Sequence, residues 1–489
     1  LDLLDANSLI AARNEAIDNY NSSYGLTSGD ATYKPHVAAA NQGANTNWID
    51  AITRSALQTS HQITLSGGSD RTQFYLSGGY YDQDGIIVNT NYHRYNLRSN
   101  LNHRVNKRVA ISSNIALSYS DNRRSTGDGN IYSPWVNALK TSPDYAVFDD
   151  DGAYNKVNAS LYNPVNLTEN QEQSTKKYRA LINLKGDVNI IDGLDYHISL
   201  SGDYNILHEY GYFPANSIEG ETSKGEASDY RGFSFTQLTE HTLTYKHGWG
   251  NLKFNVLAGY SYQKTKIDNA YVKGINFLSP SLKYLVSAGE INGGSSSVEE
   301  YALQSLFSRF NFNYADKYLL ELSIRSDASS KFSKSHRVGY FPAASAGWRI
   351  SDEKWFPRAC RAFSDLKLRA SVGLTGNQEG IGSYAYQSVY DASADYDNTP
   401  GLSLPNEKPN PDLTWEKTLQ YGAGLDVSLL CHRIDVSFDW YKKDTRDLLL
   451  THSINSVSGY SSQTSNVGSI TNTGIDLSLT SHNLTKAFM

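Results

Sequence analysis

The feature that most constrains this chain is a strict alternation of apolar and polar side chains, which recurs through most of its 489 residues. In the segment 366–374 every second residue is apolar, and Lys367 and Arg369 lie between the apolar positions. The segments 109–118 and 434–441 show the same pattern. Because successive side chains of a β-strand point to opposite faces, each segment is predicted to be a strand with one apolar and one polar face.

The lengths of these segments indicate which kind of β protein is present. Strands of soluble sheets favour about 5–6 residues, whereas a tilted strand that crosses a bilayer needs about 9–11. Sixteen alternating segments lie near 61–69, 72–83, 91–104, 108–120, 176–189, 195–207, 235–247, 250–264, 298–314, 317–328, 339–351, 366–374, 413–429, 432–444, 446–455 and 468–482. Many exceed ten residues, so we predict an all-β fold, an antiparallel transmembrane β-barrel.

The connections between the segments give a second, independent signal. Short turns alternate with long connections at 121–175, 208–234, 265–297 and 375–412, which are rich in Gly, Ser, Asn, Asp and Tyr. Outer-membrane barrels keep short turns on the periplasmic side and long loops outside. Helical spacing is found only near the start, around Leu9 and around Ile49.

Composition excludes several other classes of protein. The mean hydropathy is −0.50 and no apolar run approaches the ~20 residues of a transmembrane helix. A net charge of −6 without a basic run argues against a nucleic-acid partner. Cys360 and Cys431, the two cysteines, can build neither a disulfide framework nor a structural zinc site.

A sheet edge exposed to hydrocarbon leaves backbone groups unpaired, so a membrane sheet is expected to close on itself. With about sixteen strands or more the interior is too wide to be filled by side chains, and the polar face then lines a lumen. The lining is predicted to include Asn114, Lys367, Arg369, Asp435, Asp439 and Asp476. Aromatic side chains expected at the membrane interfaces are Tyr80, Tyr81, Tyr119, Tyr260, Tyr262, Trp348, Trp440 and Tyr441.

Several motifs in this order resemble one family closely and almost from end to end. They include Tyr75-Leu76-Ser77-Gly78-Gly79-Tyr80, Asp316-Lys317-Tyr318-Leu319-Leu320, Gly339-Tyr340-Phe341-Pro342-Ala343-Ala344-Ser345-Ala346-Gly347-Trp348, Gly376-Asn377-Gln378 and Asn410-Pro411-Asp412-Leu413-Thr414-Trp415. The chain resembles the SusC/RagA-like TonB-dependent transporters of the Bacteroidetes outer membrane.

The resemblance implies a twenty-two-stranded barrel around a plug domain, a SusD-like surface lipoprotein as a lid, and energy delivered by TonB. Against that pattern we expect a barrel fragment that lacks the plug, the TonB box and several strands. Residues 1–60 are then an extracellular connecting segment with short helices, and residues 61–489 are a partial barrel.

Aromatic residues in the long connections are candidate contacts for sugar rings or peptide side chains. They are Tyr132, Trp135, Tyr145, Tyr154, Tyr212, Phe213, Tyr384 and Tyr386. The alternative is that these rings pack the loops against one another or against the lid. Asp149, Asp150 and Asp151 precede a glycine and are a weak calcium candidate, because the spacing lacks the alternating ligands of an EF-hand; a solvated acidic loop is preferred. No cofactor is expected beyond this calcium.

The sequence contains no metal-protease, nucleophile-elbow, phosphate-loop or dinucleotide motif, so an enzyme is not predicted. We expect part of an outer-membrane active importer of oligosaccharides or peptides. A passive outer-membrane pore is the first alternative. A secreted soluble β-sheet protein that binds or hydrolyses carbohydrate is the second.

Overall fold

The computed structural model describes residues 3–38, 43–125, 130–156, 161–356, 363–397 and 399–482. Strands make up most of these residues. In chain order they are β1 (Gln58–Gly68), β2 (Thr72–Asp84), β3 (Asn91–Arg104), β4 (Val109–Arg123), β5 (Glu172–Ile191), β6 (Leu194–Phe213), β7 (Glu226–Trp249), β8 (Leu252–Phe277), β9 (Ala288–Tyr314), β10 (Tyr318–Ser329), β11 (Val338–Arg349), β12 (Phe363–Asn377), β13 (Asp391–Tyr396), β14 (Thr399–Ser403), β15 (Glu407–Lys408), β16 (Glu416–Leu429), β17 (Ile434–Arg446), β18 (Leu449–Ser453), β19 (Ser462–Asn466) and β20 (Ser469–Ser481).

Fifteen strands form one antiparallel sheet, in the order β1 to β12, then β16, β17 and β20. Each strand pairs with the previous one in the chain, apart from the small elements inserted after β12 and β17. This up-and-down order confirms the all-β antiparallel barrel class. One segment was predicted wrongly: within 446–455 only β18 is a strand, and it pairs with β19 and, through β19, with β15 in a separate three-stranded sheet. It is too short to span a bilayer, and its alternation comes from packing among loops.

Strands β7, β8 and β9 contain 24, 26 and 27 residues, more than twice the length that crosses a bilayer. Much of the predicted connections 208–234 and 265–297 is therefore strand rather than loop. The reason is that sheet which rises beyond the membrane has lipid on neither face. Such sheet need not alternate apolar and polar side chains, so the sequence pattern does not identify it as strand.

The register aligns most apolar side chains of the sheet on one outward face. Leu320 lies opposite Phe312 and Ala346, and Leu368 lies opposite Trp348 and Leu425. Large apolar side chains on this face stay exposed, among them Leu306 at 60% and Ile475 at 67%. No second layer of protein covers them within the described ranges. An apolar belt of this extent is typical of a surface that contacts lipid.

Two rows of aromatic rings border this belt. Toward the long loops, Tyr80, Tyr95, Tyr119 and Tyr178 form a series with ring centroids 4.7–6.2 Å apart. Near the short turns, Tyr314, Tyr318, Trp348 and Trp355 form another with spacings of 6.3–6.4 Å. The rows agree with the expected interface positions of Tyr80, Tyr119 and Trp348. Tyr81 and Tyr441 are one residue out of phase with the belt and lie on the opposite face.

The helices all lie outside the sheet: α1 (Ala6–Ser23), α2 (Trp48–Ile52), α3 (Pro134–Lys140), α4 (Pro164–Glu169) and α5 (Ile218–Glu221). No helix in the described part of the chain is long and apolar enough to cross a membrane. The last three were not predicted, because each is too short for helical periodicity. For α3 and α4 the signal was local: Ser133 and Asn163 accept N-terminal backbone N–H groups, and each is followed by a proline at the first helical position.

Candidate functional site

The loops at the long-connection end contain a buried cluster that we call the loop core. It consists of Trp48, Ile52, Ala138 and Val165, contributed by α2, α3 and α4. The indole N–H of Trp48 donates to the carbonyl of Ser142 at 2.9 Å, and this bond ties α2 to the segment after α3. The loop core therefore holds the connection before β1 against the connection between β4 and β5.

Three predicted ligand contacts pack against the loop core: Trp135, Tyr145 and Tyr154. The hydroxyl of Tyr154 donates to the carboxylate of Glu169. Burial, followed by this carboxylate, raises the pKa of Tyr154 to about 12. Tyr132 stacks on Tyr162 with ring centroids 5.1 Å apart. For these four rings the contacts favour the alternative in which aromatics hold the loops together.

Tyr212 and Phe213 were predicted to lie in a loop, and that placement is wrong. They end β6, and Tyr212 is 4% exposed, with its ring 5.4 Å from that of Phe277. Tyr384 differs from them: its side chain is exposed, and its hydroxyl accepts the backbone N–H of Glu300 at 3.0 Å. Tyr386 is half-buried and accepts a hydrogen bond from Gln387. Tyr384 and Tyr386 belong to none of the buried clusters among the described residues and stay open to a ligand.

The acidic run Asp149-Asp150-Asp151 makes hydrogen bonds within its own turn. The carboxylate of Asp149 accepts the backbone N–H groups of Asp151 and Ala153 at 3.1 and 2.8 Å. Within the described ranges no group of three or more His, Cys, Asp or Glu side chains is placed to hold a metal ion. The calcium site at Asp149, Asp150 and Asp151 stays a prediction, and these contacts are those of a solvated acidic turn.

Sequence reasoning missed one acidic residue in the loops. Glu219, in α5, is largely buried, and one of its carboxylate oxygens accepts a hydrogen bond from the side chain of Gln171 at 2.5 Å. Its other oxygen is buried without a partner among the described residues. Burial raises the pKa of Glu219 to about 7. The chain neighbours of Glu219 do not reveal this environment, because the burying residues come from other loops.

The face opposite the lipid belt, which we call the inner wall, carries the predicted lumen charges. Arg369 on β12 contacts two carboxylates on the next strands: its nitrogens lie 2.8 Å from Asp426 and 3.0 Å from Asp439. Ser437 donates to Asp426 at 2.9 Å. Asp426 was missed, although it shares the inner phase of β16. The cluster is a polar patch with one more negative than positive charge.

Beside this cluster the inner wall forms a concavity of about 910 Å³ near the short turns. Its floor consists of small residues, including Gly347, Ser371 and Gly422, and charged side chains such as Glu321 and Arg369 rise around it. Small floor residues let a guest approach the sheet backbone closely. The arrangement suits binding of a polar guest.

Comparison with known proteins agrees with this geometry. Residues 115–488 match the family model described as TonB dependent receptor-like, beta-barrel. The chain is 31% identical to TonB-dependent receptor P3 of Formosa agariphila over 99% of its own length and 48% of the relative. It is 26% identical to TonB-dependent receptor SusC of Bacteroides thetaiotaomicron, over 89% of this chain and 46% of the relative. The chain thus spans about half the length of these curated relatives.

Among solved structures, the RagAB peptide transporter superimposes with a TM-score of 0.82 at 25% identity, covering 98% of this chain and 56% of the other. A ferripyoverdine receptor of the Pseudomonas aeruginosa outer membrane shares only the fold, with a TM-score of 0.54 at 14% identity. The family is one of outer-membrane receptors and transporters, and the resemblance to SusC and RagA is confirmed. This chain belongs to the TonB-dependent receptor-like β-barrel family.

Proposed function

We propose that this chain is the barrel part of an outer-membrane active importer. The observation that carries the proposal is the division of the main sheet into two faces. One face presents a largely apolar belt between two aromatic rows, and the other presents charged clusters and a concavity of about 910 Å³. A sheet with lipid on one side and water on the other encloses a route for polar solutes.

The proposed cargo is an oligosaccharide or a peptide. Exposed aromatic rings in the outer loops, Tyr384 among them, offer flat apolar contacts to either ligand. One similar structure is named a peptide transporter, which supports a peptide. The oligosaccharide stays a prediction from the sequence. The step performed is binding and translocation, without cleavage of the cargo.

The proposed partners are TonB, a SusD-like surface lipoprotein and outer-membrane lipid. TonB would act on a plug domain within the whole protein. The concavity of the inner wall, which is lined by small and polar residues, is a surface that such a domain could contact. The lipoprotein would cover the loops around the loop core. We propose the outer membrane as the location, with residues 1–60 outside the cell.

Uptake by cells that carry the full-length gene tests the importer. Radiolabelled oligosaccharides and peptides are offered with and without an uncoupler, and a strain without the gene serves as the control. We expect gene-dependent uptake to stop when the proton-motive force collapses, because TonB needs it. Unchanged uptake after the uncoupler would indicate a passive pore. Recovery of the protein in the soluble fraction without detergent would contradict the membrane location.

A further inference from the structure

The upper part of β9 has a neighbouring strand on one side only. β8 pairs with β9 from Ala288 to Tyr314, whereas β10 begins to pair with β9 only at Leu303. β10 is shorter because it ends at Ser329, where the chain turns back into β11. Residues 288–302 of β9 therefore form a sheet edge above the barrel.

Hydrogen bonds at the lower end of this edge show which residues have backbone N–H and C=O groups that point away from β8. The backbone N–H of Ala302 donates to the hydroxyl of Ser330 at 2.8 Å, and its carbonyl accepts the N–H of Ser330 at 2.9 Å. The N–H of Glu300 donates to Tyr384 on the same side. Backbone groups alternate in direction along a strand. The N–H and C=O groups of even-numbered residues in this part of β9 therefore point away from β8, in the plane of the sheet.

Continuing upward, the outward-pointing residues are Gly294, Ser296 and Val298. Their backbone N–H and C=O groups have no hydrogen-bond partner among the described residues, and all three residues are exposed. The register with β8 is regular from Gly293 to Glu299 and becomes irregular directly above. The edge is thus a regular segment of seven residues, about 23 Å long at ~3.3 Å per residue.

Proteins usually protect such an edge with lysine, proline or a bulge. Residues 293–299 contain neither lysine nor proline, and their sequence is Gly-Gly-Ser-Ser-Ser-Val-Glu. Small side chains leave the backbone groups sterically accessible. The only charged residue, Glu299, is already engaged, since its carboxylate accepts the hydroxyl of Ser383 at 2.5 Å.

We propose that residues 293–299 capture an extended peptide, which adds to the sheet as a strand beside β9. Alternating N–H and C=O groups are complementary to another polypeptide backbone and have no matching ladder in an oligosaccharide. Ser330 and Tyr384 occupy the next outward-pointing groups, so an incoming chain must stop there, which suits the end of a short peptide. Tyr384, whose hydroxyl already contacts Glu300, then lies where the terminal side chain of the peptide would contact it. This inference rests on the proposed importer and selects peptides as its cargo.

Proline at position 296 tests the edge directly. Ser296→Pro removes one outward N–H and leaves the hydrogen bonds between β8 and β9 in place, because those involve the odd-numbered residues. Ser296→Ala is the matched control, which removes the hydroxyl and keeps the backbone. Purified full-length protein in detergent is incubated with a mixture of seven-residue peptides randomised at every position, and retained peptide is measured by mass spectrometry. The same shift in gel mobility on heating as in wild type checks that each variant is folded.

We expect wild type and Ser296→Ala to retain peptide equally and Ser296→Pro to retain roughly tenfold less, the scale of one or two lost hydrogen bonds. Peptides N-methylated at every residue, which present no N–H donor on either edge, should be lost from all three proteins. Equal retention by Ser296→Pro, equal retention of the N-methylated peptides, or no retention by wild type would each overturn the proposal. If wild type retains no peptide while uptake still depends on the proton-motive force, the edge proposal fails and the importer stands.

Discussion

The assignment of faces in the main sheet can be tested by placing one arginine on each side of the same strand. Ala344 and Ser345 are adjacent on β11 and similar in size. Ala344 lies on the lipid face between Leu322 and Val372, and Ser345 lies on the inner wall beside Glu321. Ala344→Arg therefore puts a charge toward lipid, and Ser345→Arg puts the same charge toward water and a carboxylate.

The depth of Ala344 sets the magnitude. Trp348, in the aromatic row near the short turns, is four residues away on the same face. Four residues at ~3.3 Å each, tilted by about 45°, rise roughly 9 Å, which is close to the middle of an apolar band about 25 Å tall. An arginine near the middle of the lipid face destabilises a barrel by about 2–4 kcal/mol. That corresponds to roughly a 30- to 1000-fold change in the folding equilibrium.

The measurement is urea unfolding of full-length protein in lipid vesicles, followed by the loss of heat-sensitive gel mobility. We expect Ala344→Arg to lower the free energy of unfolding by about 2–4 kcal/mol and Ser345→Arg to change it by less than about 1 kcal/mol. If Ser345→Arg destabilised the barrel as much as Ala344→Arg, the lipid face and the inner wall would be assigned wrongly. The importer proposal, which depends on that assignment, would then be contradicted.

Three further outcomes are expected for the outer loops, each measured by the rate of protease cleavage of intact cells. Trp415 is 3% exposed in a cluster with Phe341, so Trp415→Ala should destabilise the loops by about 3–5 kcal/mol, and Trp415→Phe by much less. A Cβ at Gly376 would lie 2.1 Å from the ring of Phe341; Gly376→Ala should therefore destabilise by about 1–3 kcal/mol, and Phe341→Leu should relieve part of that effect. Glu219, with its pKa raised to about 7, stabilises the folded loops when it is protonated. Protection of the loops from protease should therefore be greatest below about pH 4.5 and fall as the pH rises through 7. Glu219→Gln should remove this pH dependence.

Much of the barrel could be predicted because the membrane imposes a repeating local rule. A strand between lipid and water must alternate, and the alternation around Leu366–Leu374 is visible without any knowledge of its neighbours. The same rule assigned Arg369 and Asp439 to one face. The register then brought them within 3.0 Å, as their shared phase had indicated.

The loops follow no such rule, and there only the tertiary structure decided the outcome. An aromatic ring that binds a ligand and one that fills a core look alike in sequence, so Trp135 and Tyr384 could not be distinguished until the loop core was seen to cover one and leave the other exposed. Likewise, the edge at 293–299 exists because β10 ends before β9 does, and no residue of β9 records the length of its neighbour. The alternation of apolar and polar residues is a local property of the sequence. Which side chains are buried and which backbone groups stay unpaired depends on how segments distant in the chain pack against them.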